Sequence, residues 1–227
     1  MKVSIGNIAL GPGQPVLIQS MCNTPTGDTQ ACVEQCIRIF DSGGGLVRLT
    51  ARNLEEARNL CNIKSELRRR GYLQPICADV HFNPAVANLA ASCVEKVRIN
   101  PGNFTRDAIE PPFLGLLENC RQHRTALRIG VNHGSLSRRI MEEFGDTPEG
   151  MVESALEYLR LCRREGFRDV VVSLKSSNTR IMVYANRMMK KRMLEEHLEA
   201  ALHLGVTEAG AGEQGRIRSC VSAATSS

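Results

Sequence analysis

Residues 96–103 read KVRINPGN, and within them Arg98 and Asn100 alternate with Val97 and Ile99. Successive side chains on a strand point to opposite faces, so this segment gives one apolar face and one face carrying a cation and an amide. The same parity holds on either side. In LVRLT (46–50) Arg48 and Thr50 alternate with Val47 and Leu49, and in ADVHF (78–82) Asp79 and His81 flank Val80. In RIGVN (128–132) Arg128 and Asn132 oppose Ile129 and Val131, and in VSLK (172–175) Ser173 and Lys175 oppose Val172 and Leu174. A sixth stretch, HLGVTEAG (203–210), adds Thr207 and the carboxylate of Glu208. A sheet face that collects so many cations calls for an anionic ligand.

Strand-like runs fall near 16–20, 46–50, 75–80, 96–100, 126–131, 170–175 and 201–207, and most gaps between them carry helical signals. Asp28 can cap a helix bearing Val33, Cys36, Ile37 and Phe40 that ends at Gly43–Gly45. Asn53 followed by Glu56 resembles a capping box, and Gly71 closes that helix. Asn83 before Pro84 and Thr147 before Pro148 each place a cap ahead of a proline at the first helical position. Met151, Val152, Ala155, Leu156 and Leu159 form a helical stripe, and a last helix is expected from about 179 to 200.

Alternating strands and helices imply a parallel sheet, because each crossover helix returns the chain to start the next strand in the same direction. A doubly wound sheet buries both faces under helices and should be apolar at both parities, whereas barrel strands aim functional residues inward. The fold class is therefore α/β, a TIM-type (β/α)8 barrel. Seven strands are legible and an eighth is not found after Thr207, so the expectation is a barrel truncated after strand seven. The opening KVSIGNIALGPGQP (2–15) reads as a β-hairpin suited to plugging the barrel bottom.

Composition narrows the function. At 227 residues one domain of ordinary size is expected, spanning 1–227. The net charge of +5 is spread along the chain, and with no Trp, three Tyr and six Phe there is no base-stacking platform, so no nucleic-acid partner is expected. Nine cysteines are an odd count and fall singly within helix-like and strand-like stretches, a pattern suited to a reducing compartment rather than a disulfide scaffold. Cys32 and Cys36 lie one helical turn apart and read as a core face, and no metal site is read in this chain. No apolar run approaches the roughly 20 residues that cross a bilayer, and no signal or transit peptide precedes the first strand. A soluble, cytoplasmic protein without a membrane partner is expected.

The collinear motifs VLIQSMCNTPTGD (16–28), ADVHFNP (78–84), VRINPGNF (97–104), RIGVNHGSLSRRIMEEFGDTPEGMVES (128–154) and LHLGVTEAG (202–210) resemble the family of 4-hydroxy-3-methylbut-2-enyl diphosphate synthases. The likeness runs from about Val3 to Ser219, and NHGSLSRRI with GDTPEGMVES is most similar to the long type of plastids, chlamydiae and bacteroidetes. The resemblance implies an oxidoreductase of non-mevalonate isoprenoid biosynthesis that reductively opens 2-C-methyl-D-erythritol 2,4-cyclodiphosphate. Ferredoxin or flavodoxin would supply electrons through a 4Fe-4S cluster on a C-terminal domain, held by three cysteines and a glutamate. That domain and those ligands are absent from this chain, so the chain alone is expected to be inactive. Short members of the family dimerise, which makes a homodimer one expected state, and a plant or algal origin would place the protein in the plastid stroma.

Carried over residue by residue, the resemblance implies that Arg48, Arg98, Arg128 and Lys175 grip the cyclic diphosphate. Arginine's planar fork suits phosphate oxygens. Asn100 and Asn132 would hydrogen-bond phosphate or hydroxyl oxygens, with Asp79, His81 and Thr207 completing the substrate-binding set. Glu208 would be the catalytic proton donor and acceptor, at the carboxyl end of a strand where barrel active sites lie. Internal salt bridges between inward Asp and Arg residues are the competing reading of the charges. A pterin-binding transferase of the dihydropteroate synthase kind and a non-catalytic fragment are the competing functions.

Overall fold

The computed structural model describes residues 2–105, 108–204, 213–215 and 217. The chain divides into two compact units, one of Met1–Ile99 with Phe104–Arg128 and one of Asn100–Asn103 with Ile129–Ser227.

The first unit opens with the expected hairpin. β1 (Val3–Ile5) and β2 (Ile8–Leu10) pair antiparallel with Val3 opposite Leu10 and Ile5 opposite Ile8. Gly6 turns between them at φ +57°, and a Cβ there would lie 2.7 Å from Cγ of Glu95, so the turn needs glycine both for its conformation and for its fit. Glu95 itself ties this end of the unit together. It accepts the backbone N–H of Ile76 at 2.9 Å and pairs with Arg68 at 2.8 Å and Lys64 at 2.9 Å.

The sheet follows in this unit as β3 (Gln19–Met21), β4 (Leu46–Ala51), β5 (Ile76–Val80) and β6 (Lys96–Ile99), each parallel to the next. Helices α1 (Thr29–Asp41), α2 (Leu54–Arg69) and α3 (Pro84–Ala91) separate these strands. The caps are those the residue types demand. Asp28 accepts from the N–H of Ala31, Asn53 from Glu56 and Asn83 from Ala85. The capping box is displaced by one residue: Glu56 reaches back to the N–H of Arg52, not Asn53, and forks with the Arg52 guanidinium. Helix α4 (Pro101–Phe104) follows β6, and α5 (Glu110–His123) carries Phe113, Leu116, Leu117 and Cys120 into the core.

β7 (Ala126–Asn132) gives Ala126–Arg128 to the first unit and its remainder to the second. The second unit continues with α6 (Arg138–Phe144), α7 (Pro148–Arg164), β8 (Val170–Lys175), α8 (Thr179–Glu195) and β9 (Ala201–Leu202). Thr147 caps α7 by accepting from Gly150, and Asn178 caps α8. Along the chain the strands hydrogen-bond in sequence order from β3 to β9, the order of a sheet built from βα repeats.

Three expectations are corrected here. The first sheet strand begins at Gln19 rather than near residue 16, because Val16 and Ile18 stand exposed and the carbonyl of Ile18 is used only by Gly45 beyond the ladder. The last helix ends at Glu195, where His197 enters a left-handed conformation at φ 51°. The cysteines are not all single: Cys61 on α2 and Cys93 after α3 form a disulfide across 32 residues. Helical and turn positions this far apart give no spacing signal, so only packing of α2 on α3 reveals the pair. Cys22, Cys32, Cys36, Cys77, Cys120 and Cys162 are buried free thiols, as a core-face reading of them requires. No helix among the described residues is long and apolar enough to cross a membrane.

Thiol titration of the denatured protein should find two more reactive thiols after reduction than before. Cys93→Ser should then lower the unfolding free energy by up to about 3 to 4 kcal/mol, the scale for closing a loop of this length. Equal thiol counts before and after reduction would refute the pairing.

Candidate functional site

The parallel register of the first unit stacks its polar residues in two rows. Met21, Arg48, Cys77 and Lys96 are cross-strand partners in one row, and Thr50, Asp79 and Arg98 in the next. Partners in a parallel ladder point to the same face, so each row is continuous across the sheet. Arg128 enters from β7 and is fully buried, and Asp79, Lys96 and Arg98 are nearly so.

Lys96 donates from Nζ to Oε1 of Gln19 at 2.9 Å, although β6 and β3 are three strands apart. Strands that far apart in a flat sheet are separated by about 14 Å, so side chains meeting above the face are what a curled sheet gives. This is the barrel's inward side, not a face covered by helices.

Asp79 organises the second row. Its Oδ1 accepts from Arg98 Nη1 at 2.9 Å, its Oδ2 lies 3.3 Å from Arg48 Nε, and His81 Nε2 is 3.5 Å from Oδ1. Arg98 Nη1 also stands 3.2 Å from His81 Nε2, to which it can donate when that nitrogen carries no proton. Burial alone would raise the Asp79 carboxyl, but the His81 contact and the charges of Arg98 and Arg48 outweigh it and hold the group well below the usual carboxylate range. The internal salt bridge weighed as the competing reading of the sequence is therefore present. It occupies one carboxylate only, while Arg48, Lys96, Arg98 and Arg128 all face this side.

Access differs among the cations. The Arg48 side chain is 17% exposed and His81 30%, against 5% for Arg98. Arg48 Nη2 meets the sulfur of Met21 at 2.9 Å, a weak acceptor that leaves the guanidinium end suited to an oxyanion. Arg128 and Lys96 lie deeper. Burial, followed by the charges of Arg48 and Arg98, pushes Arg128 down from its ordinary value.

In the second unit Asn100 is buried, and both ends of its amide are used: Nδ2 donates to Ser135 Oγ at 2.8 Å and Oδ1 accepts from the N–H of Gly102 at 3.2 Å. A Cβ on Gly102 would fall 1.8 Å from the Ser135 carbonyl, so only glycine permits this approach. Asn132 ends β7, Lys175 ends β8, and the N–H of His133 donates to the Lys175 carbonyl at 2.9 Å. Asp146 accepts from the N–H of Gly134 at 3.0 Å, with its other oxygen 3.8 Å from His133 Nε2. Asn132 and Lys175 thus stand at carboxyl ends of strands, as barrel sites require. Thr207 and Glu208 lie outside the described residues.

Lys96 is the residue of this polar face that the sequence reading passed over. Its signal was available, since it sits two residues before Arg98 on the same parity of KVRIN.

The GcpE TIM-barrel domain family model matches residues 1–225. The chain belongs to that family. It is 52% identical over 97% of its length to a 4-hydroxy-3-methylbut-2-en-1-yl diphosphate synthase (flavodoxin) of Bacteroides thetaiotaomicron, covering 39% of that protein. It is 45% identical to the same-named protein of Akkermansia muciniphila, covering 97% of this chain and 41% of that one. In Leptospira interrogans the like-named protein is 44% identical over 97% of this chain and 36% of its own length. The chain thus spans about two fifths of these curated relatives. Dihydropteroate synthase of Xanthomonas albilineans matches the structure with a TM-score of 0.63 at 15% identity, over 99% of this chain and 88% of that one. A type I 3-dehydroquinate dehydratase of Clostridium difficile matches at 0.61 and 12%, over 99% and 98%. These two likenesses establish the shared barrel fold alone. Among the described residues no three His, Cys, Asp or Glu side chains converge as metal or cluster ligands would.

Asp79→Asn should lower stability by about 3 to 5 kcal/mol in denaturant unfolding near neutral pH, because it leaves two buried guanidinium groups without their carboxylate. The folded-state carboxyl is shifted down, so its stabilisation is complete above the ordinary Asp value of about 3.9 and is lost as pH falls below it. The gap between wild type and variant should therefore close in acid. A gap that persists unchanged to pH 2 would contradict the ion-pair account.

Proposed function

We propose that this chain is the substrate-binding barrel of an enzyme that reductively opens 2-C-methyl-D-erythritol 2,4-cyclodiphosphate to 4-hydroxy-3-methylbut-2-enyl diphosphate. The observation that supports the reading is the gathering of Arg48, Lys96, Arg98 and Arg128 around Asp79 on one face of the first unit's sheet, in a chain of this family. A cyclic diphosphate brings the two negative charges that such a face lacks. Ring opening breaks a carbon–oxygen bond and leaves the diphosphate tethered at one end, so charge grows on the released oxygen as the bond breaks. Fixed guanidinium groups stabilise that charge without reorganising.

The roles then separate. Arg48, the most accessible of the inward arginines, and His81 touch the diphosphate. Arg98, held by Asp79, presents a pre-oriented fork, and Arg128 contributes its field from below. Lys175 and Asn132 join the substrate-binding set on the strength of the family resemblance, whereas Asn100 is a positioning residue that fixes Gly102 against the Ser135 backbone. Thr207 and Glu208 complete the set on the strength of the family resemblance, Glu208 protonating the hydroxyl that leaves as water. The reaction consumes two electrons, which flavodoxin or ferredoxin supplies to the complete enzyme. We place the protein in the cytoplasm, in keeping with the absence, among the described residues, of a helix long and apolar enough to cross a membrane.

The cyclic diphosphate should raise the thermal midpoint of the purified chain, since a ligand that binds only the folded state at 100 times its Kd stabilises by about 2.7 kcal/mol. Arg48→Gln should weaken binding by about 10- to 100-fold, the worth of one charge-assisted hydrogen bond. Equal stabilisation by a pterin diphosphate, or none by the cyclic diphosphate, would overturn the reading.

A further inference from the structure

Lys96 is 1% exposed and is the deepest ammonium of the first unit's polar face. The groups that face it come from every strand around it. Gln19 on β3 accepts from its Nζ, Arg48 on β4 shares its row, Cys77 on β5 is its register partner, and Arg128 approaches from β7. Two of these are guanidinium groups, one is a neutral amide, and Cys77 is a thiol that burial keeps protonated by pushing it up. The carboxylate of Asp79 lies in the next row, engaged with Arg98 and Arg48. An ammonium so placed has lost its water and gained neighbours of its own sign.

We propose that Lys96 is a proton-coupled positioning residue: it gives up its proton readily in the empty site and takes one up when a doubly charged anion binds to the arginines beside it. The inference rests on the anionic-ligand reading above and adds to it that the protein adjusts its own charge to the ligand.

The physical chain is short. Burial first, and then the charges of Arg128 and Arg48, lower Lys96 from its ordinary value to about 8. Arg48 stands two strands away in the same row, about 10 Å in the sheet direction. Two negative charges at that distance, in a medium of effective dielectric about 20, strengthen proton binding on the order of a hundredfold. From pH 8 to 9 Lys96 without the anion goes from about half to about nine tenths neutral, while with the anion bound it stays largely charged. Binding in that window takes up a large part of one proton, and the new ammonium adds its charge beneath the ligand.

Calorimetric titration of the full chain with 2-C-methyl-D-erythritol 2,4-cyclodiphosphate at pH 8.5, in buffers of different ionisation enthalpy, reads the proton number directly. The phosphates of this ligand are ionised far below neutrality, so any proton exchanged belongs to the protein. The expected result is uptake of roughly three quarters of a proton at this pH, with Kd weakening about tenfold from pH 7 to pH 9. Lys96→Met should abolish both effects and bind more weakly at pH 7, while Lys96→Arg should bind with a flat pH profile. Uptake that persists in either variant overturns the assignment to Lys96. Where a variant does not fold, a wild-type Kd that is constant from pH 7 to pH 9 overturns it equally. Binding without proton uptake refutes this inference and leaves the anion site standing, whereas no binding at all removes both.

Discussion

Among the described residues Asp79 is the carboxylate that meets Arg48 and Arg98 together, and the geometry of the candidate site follows from that shared contact. A buried guanidinium without a counter-charge is unstable, so each arginine in reach is drawn to the same two oxygens. Because Arg48 approaches one oxygen and Arg98 the other, their forks are held apart at fixed positions in adjacent rows. His81 closes the arrangement from the strand end. The carboxylate therefore serves less as a neutraliser than as a template: it orients two cations and leaves a net positive face around them. Supporting contacts of this kind determine whether a phosphate site is rigid enough to discriminate among anions.

Strand parity carried most of what could be read from the sequence. The period of two in LVRLT, KVRIN and RIGVN needs only the pleat to become a statement about faces, and the inward placement of Arg48, Arg98 and Arg128 follows directly. The caps were legible for the same reason, since Asp28, Asn53, Asn83 and Thr147 act on donors two or three residues away. What escaped depends on distances that local pattern does not encode. The Cys61–Cys93 bond needs the packing of α2 against α3, and the Glu95 hub joins side chains from separate elements. Val16 and Ile18 look like strand residues by type but lie outside the ladder.

Asn100 shows a subtler limit. Its parity and position after β6 mark it as a polar residue carried inward at a strand end, and it is buried there. Parity says where a side chain points but not which partner reaches it first. In the structure Ser135 and the N–H of Gly102 take both ends of the amide, and the missing side chain at Gly102 lets the backbone of Ser135 come close. A residue type suited to binding a hydroxyl or phosphate has been used instead to brace the loop after one strand against the loop after another.

Lys96 and Asp79 bring the site's electrostatics to a common conclusion from opposite signs. The Asp79 carboxyl is shifted down in the folded state, so folding binds fewer protons than unfolding below the ordinary Asp value, and acid weakens the fold. Lys96 is also shifted down, to about 8, so between that value and its ordinary one the folded state again binds fewer protons and the fold gains stability as pH rises. One group holds its negative charge more firmly than usual, and the other holds its positive charge less firmly. Both shifts mean that the empty face has too little negative charge. An anion bound at this face would offset the positive charges there. The two shifts thus have a common origin, the cations gathered on one side of the first unit's sheet.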